Sequence, residues 1–78
     1  PEGAFVIRVE KNSAAGKAGI QKGDIIVSFD GQRVSGKDDL ESKLAYYASG
    51  ETVDVVVSRA DNGEYVQKTI SVTLGSKN

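Results

Sequence analysis

Apolar and polar positions alternate, cluster and break along this chain so as to divide it into short strands and two helices. Ala4-Phe5-Val6-Ile7-Arg8-Val9 is a β-branched and aromatic run, bounded by Gly3 and by Lys11-Asn12, and predicts a strand. A short helix is expected over Ala14–Ala18, with Ser13 as its N-cap and Gly19 where a helix end favours a left-handed residue. Gly16 is a poor interior residue that keeps this helix brief. Gly23-Asp24 supplies a tight turn, and the apolar run after it predicts a strand over Ile25–Phe29. Asp30-Gly31 reads as a hairpin turn into a short returning strand at Arg33-Val34.

The main helix is expected over Lys37–Ala48. Ser35 can cap it, Asp38 at the third position can reach back, and Gly50 closes it. Leu40, Leu44 and Tyr47 form one narrow apolar stripe at helical spacing, while Tyr46 points away from it. Thr52–Ser58 places Val53, Val55 and Val57 on one face of a strand. Asp61-Asn62-Gly63-Glu64 makes a hairpin, and Tyr65–Leu74 returns with Val66, Ile70, Val72 and Leu74 inward. Phe5, Val6, Val9, Ile26, Phe29, Val55, Val57 and Ile70, together with Leu40, are the core candidates. The order β-α-β-β-α-β-β around one mostly antiparallel sheet is an α+β arrangement.

Composition narrows the function more by exclusion than by assertion. At 78 residues, with 38% apolar and 27% charged positions, residues 1–78 make a single globular domain near the lower size limit for an unassisted core. The net charge of −1 comes from interspersed signs, which argues against a nucleic-acid partner or an anionic membrane surface. No apolar run reaches the roughly 18 residues of a membrane span, so direct membrane insertion is not expected. No signal peptide is visible, and a beginning at Pro1 without Met suggests a piece of a larger protein. Without His or Cys, zinc fingers, disulfides, thiol nucleophiles and Ser-His triads are excluded. Asp38, Asp39 and Glu41 are the nearest candidates for an oxygen-only metal site, but their spacing fits no Ca²⁺ loop. Near a helix start they complement its dipole instead. No serine stands beside a lysine in a way that suggests Ser-Lys chemistry. No catalytic residue, metal or cofactor is therefore expected.

The stretch Ser13-Ala14-Ala15-Gly16-Lys17-Ala18-Gly19-Ile20-Gln21-Lys22-Gly23-Asp24-Ile25-Ile26, followed by Asp30-Gly31-Gln32-Arg33-Val34, resembles the PDZ domain signature. The long final strand Tyr65–Leu74, with Gly50-Glu51-Thr52-Val53 and Val55-Val56-Val57-Ser58-Arg59 before it, resembles the circularly permuted PDZ domain of bacterial HtrA-family serine proteases. The resemblance runs from Gly3 to Gly75 and implies a small sheet or partial barrel with two helices. In that family a loop that holds the ligand's terminal carboxylate and a peptide-pairing strand come first. This sequence begins on the strand after them, so both are expected to be lacking here.

The resemblance also implies where a ligand sits. PDZ domains add a peptide as an extra strand at a sheet edge, beside a helix. Leu44 matches the position at the base of the ligand's terminal side-chain pocket, and is either pure core or shared between core and pocket. Lys37 and Glu41 match positions facing the peptide, against the alternative of a solvated charged flank. The function implied is a non-catalytic module of an extracytoplasmic serine protease that recognises C-termini or exposed apolar segments of unfolded proteins. The alternatives are a module of a site-2 or carboxy-terminal processing protease, or a structural assembly module that binds no peptide. An unpaired edge at Ala4–Val9 would also permit self-association.

Overall fold

The computed structural model describes residues 2–75. Its elements in chain order are β1 (Ala4–Phe5), α1 (Ala14–Ala18), β2 (Ile25–Phe29), β3 (Gln32–Arg33), α2 (Lys37–Leu44), β4 (Thr52–Asp61) and β5 (Glu64–Thr73). The sheet is antiparallel throughout, in the order β1-β2-β4-β5, with β3 paired to β2. Both hairpin turns form as expected from their Asp-Gly and Asn-Gly pairs. Asp30 and Gly31 have φ of 52° and 78°, and Asn62 and Gly63 have φ of 53° and 82°. Two consecutive left-handed residues match the twist of the flanking strands.

One face of the sheet carries the core: Phe29, Val53, Val55, Val57 and Val72, with Ala4, Ile20 and Val34 from the surrounding segments. Leu40 reaches this cluster only in part, as do Val6, Val9, Ile26 and Ile70, which limits how much stability any of them supplies. Phe5 was expected in the core and is instead exposed. Successive strand residues point to opposite faces, and Ala4 takes the inward one. Val66 is also exposed rather than inward. β2 covers β4 only over Val55–Ser58, so the far end of the β4–β5 ribbon outruns the core.

The first strand is shorter than the apolar run suggests. Val6 donates its N–H to the Asp24 carbonyl (2.8 Å) and accepts from the Gly23 N–H (2.8 Å), so its partners already lie in the turn before β2. Beyond Val6 no regular neighbour remains for Ile7–Val9 to pair with.

α1 is capped as expected: the Ser13 hydroxyl accepts from the Gly16 N–H at 3.1 Å. Gly16, however, does more than keep the helix short. A Cβ there would run into the backbone carbonyl oxygens of Glu10 and Lys11, so a bare backbone lets the helix lie against the incoming loop.

α2 differs from expectation at both ends. Its N-cap is Gly36, which makes Asp39, rather than Asp38, the third helical residue. The Asp39 carboxylate accepts from the Ser35 N–H (2.9 Å) and the Ser35 hydroxyl (3.3 Å), and it also binds Lys43 Nζ (2.7 Å). The helix ends at Leu44, four residues before Ala48, because the chain tightens into three-residue turns from Tyr46 and Tyr47 back to Lys43 and Leu44. That tightening carries Tyr47 onto Phe29, edge to face with centroids 5.0 Å apart. Its hydroxyl donates to Asp30 at 2.6 Å. The neighbouring carboxylate, aided by burial, holds the Tyr47 phenol above its ordinary pKa. Tyr46 is fully presented to solvent.

Candidate functional site

Between the segment Ala4–Val9 and α2 runs a groove of about 400 Å³, walled by Phe5, Ile7 and Val9 on one side and by Lys37, Leu40, Glu41 and Leu44 on the other. The three residues expected to meet a ligand, Lys37, Glu41 and Leu44, all line it. They sit on successive turns of α2, where residues three and four apart share a face. Leu44 is 38% exposed, so it is not pure core. Phe5 and Ile7 are 60% and 72% exposed. Large exposed apolar side chains are thus gathered along one concave strip. A second hollow of about 680 Å³ shares Glu41 and Leu44 and continues past Tyr47 to Leu74 and Gly75.

The backbone of the strand wall is oriented by its neighbours. Val6 turns its N–H and carbonyl toward Gly23 and Asp24, so the alternate residues Phe5 and Ile7 turn theirs to the open side. The site therefore combines apolar pockets with unpaired backbone donors and acceptors, the two things that an added strand requires.

The wall is held by an ion pair that sequence reading did not find. Asp24, its side chain 2% exposed, is gripped by Arg59 through Nε (2.9 Å) and a terminal guanidinium nitrogen (2.8 Å). The same terminal nitrogen donates to the Gly19 carbonyl at the end of α1 (3.0 Å), and the Gln21 N–H donates to the Asp24 carboxylate (2.9 Å). One guanidinium thus ties together the end of α1, the turn before β2 and strand β4. Because that turn supplies both of Val6's backbone partners, the pair also sets where the groove's wall lies. The bidentate arginine contact lowers the Asp24 pKa, and the Gln21 amide adds to this against the opposing effect of burial. The guanidinium is correspondingly held protonated. Asp24 read as a turn residue alone. The available signal was an arginine closing a valine run in a strand otherwise given over to the core.

Among the described residues no group of three or more carboxylates converges as a metal site would require. Asp39 is engaged with Ser35 and Lys43. No helix among the described residues is long and apolar enough to cross a membrane.

Residues 2–74 match the PDZ domain family. The chain belongs to that family. The domain is similar to the probable periplasmic serine endoprotease DegP-like of Marinomonas sp., at 39% identity over 75 residues, 96% of this chain and 15% of that protein. It is also similar to the serine protease Do-like HtrA of Lactobacillus helveticus, at 36% identity over 70 residues, 90% of this chain and 16% of the relative. Among solved structures it resembles the HtrA-type protease AlgW with decapeptide, with a TM-score of 0.72 and 28% identity over 95% of this chain and 22% of that one. The chain spans about 15% of the length of the curated relatives it matches. Its likeness is thus to the PDZ portion of HtrA-type proteases, a non-catalytic module, and relatives of this kind are named as periplasmic.

Proposed function

We propose that this domain binds extended peptide in the groove between Ala4–Val9 and α2, and that it serves an extracytoplasmic serine protease of the HtrA type. The peptide pairs with the open-side amides and carbonyls of Phe5 and Ile7. Leu44 and Leu40 receive one of its apolar side chains, and Lys37 and Glu41 flank it and select among charged neighbours. C-termini and apolar segments exposed in unfolded proteins both have this chemistry, and such binding would bring them to a protease domain or regulate it. The observation that carries the proposal is the coincidence of exposed Phe5, Ile7 and Leu44 with outward backbone groups along one groove. The AlgW structure that the domain resembles is titled as containing a decapeptide, which is in keeping with it.

The test is a titration of the chain with an apolar C-terminal peptide, as free acid and as amide, read by backbone amide shifts. Shifts should gather at Phe5–Val9 and along Lys37–Leu44, and Leu44→Asp should weaken binding at least tenfold through an unpaired charge placed in the apolar pocket. Equal response to both peptide forms assigns recognition to side chains and edge pairing, and loss on amidation adds a carboxylate contact. Shifts confined to other surfaces would overturn the assignment.

A further inference from the structure

The second sheet edge, at β5, lies away from the groove. In the sheet order β5 is terminal, and its far end, at Ser71 and Thr73, shares a hollow with Ala14, Lys17 and Ala18 of α1. Every residue from Glu64 to Thr69 is exposed, Tyr65 and Val66 among them. Over Glu64–Val66, opposite Arg59–Asp61, the β4–β5 hairpin is a two-stranded ribbon, because β2 reaches no further along β4 than Ser58. A solvent-exposed edge of this length with an aromatic and a β-branched residue is a template for another strand.

The pairing direction of each β5 residue follows from its register. Asp61 and Glu64 close the two-residue turn, and the ladder runs without a bulge to Thr52 opposite Thr73. Leu74 then donates to the Glu51 carbonyl at 2.8 Å. Even-numbered residues therefore turn their backbone groups toward β4. Tyr65, Gln67 and Thr69 turn theirs to the open edge.

We infer that this edge pairs antiparallel with the same edge of a second copy of this chain, about a two-fold axis at Val66. That register sets Tyr65 opposite Gln67 of the second copy as a hydrogen-bonded pair, and Val66 opposite its own copy. It also sets Glu64 opposite Lys68 of the second copy, and Lys68 opposite Glu64, in the closer non-hydrogen-bonded positions. Shifting the register by two residues in one direction puts Glu64 against Ile70 and Lys68 against Val66. Shifting it in the other puts Glu64 against Val66 and Lys68 against Asn62. Only the central register matches both charges twice, and opposite charges directly across a ladder are favourable whereas like charges are not. The surface is isologous, as a two-fold dimer requires. It does not involve the groove residues, so it stands independently of the peptide-binding proposal.

Sedimentation and amide hydrogen exchange on the 78-residue chain, at concentrations up to about 1 mM, test the inference. A dimer should form, with the Tyr65 and Gln67 amides gaining protection as concentration rises. Lys68→Glu sets like charges opposite each other twice and should weaken the dimer roughly tenfold or more. Combining Glu64→Lys with Lys68→Glu should restore it, with an amide spectrum showing each variant folded. A chain that stays monomeric, a dimer indifferent to Lys68→Glu, protection gained at Phe5–Val9 instead, or a double variant that fails to recover would each overturn it.

Discussion

Arg59→Ala is the perturbation on which the account of the fold depends most. The substitution removes both hydrogen bonds to the Asp24 carboxylate and the one to the Gly19 carbonyl, and leaves a carboxylate 2% exposed with the Gln21 amide as its remaining partner. Breaking a fully buried pair by deleting one member costs about 3–5 kcal/mol. Arg59 retains 20% exposure, so water enters the vacated space and the cost should fall near the lower figure, about 3 kcal/mol. A domain of this length has a total stability of about 4–12 kcal/mol. With a urea m-value of about 1 kcal/mol/M, the midpoint should drop by about 3 M. Arg59→Lys, which keeps the charge and loses the two-pronged geometry, should fall between.

The pH dependence supplies an independent check. The Asp24 pKa is lowered in the folded state, so the pair's contribution is fully present above the ordinary carboxylate value of 3.8 and is lost as pH falls through the lower folded value. In Arg59→Ala the buried carboxylate has lost its cation, its pKa rises, and acidification relieves the penalty. The stability gap between the two proteins should therefore be widest at neutral pH and narrow on acidification. A gap under half a kcal/mol at neutral pH, or one that stays constant down to pH 3, would refute the reasoning. Amide shifts at Val6 and Gly23 should accompany the loss, since their pairing depends on the turn that Arg59 holds.

Gly31→Ala places a side chain at φ 78°, in open space, so the cost is conformational alone and should be about 1 kcal/mol in denaturant melts. Stability equal to that of the parent would mean that the turn relaxes to another type. Leu40→Ala should cost about 2 kcal/mol, the low end for a leucine truncation, because this side chain meets the core cluster while remaining partly exposed to the groove. A cost above 4 kcal/mol would place it wholly inside the core.

Local chemistry and periodicity were enough to determine the elements of this domain. Ser13 and Gly19 bound α1, the Asp30-Gly31 and Asn62-Gly63 pairs close the hairpins, and Val53, Val55 and Val57 alternate onto one face. Each of these depends on residues within a few positions of one another. Lys37, Glu41 and Leu44 were set beside a ligand by the family resemblance rather than by spacing, and the structure lines one groove with all three. What the tertiary structure decided depends on groups distant along the chain. The first strand stops at Phe5 because Val6's partners already lie in the turn at Gly23-Asp24, and α2 stops at Leu44 as Tyr47 is drawn onto Phe29 and Asp30. Gly16 is required by a carbonyl from the preceding loop, and Asp24 is a buried anchor only because Arg59, 35 residues later, arrives beside it. The groove has the same origin. An apolar stripe on a helix is indistinguishable from core until the strand opposite it is placed, and Phe5 and Ile7 became its other wall only when Ala4 and Val6 had turned inward.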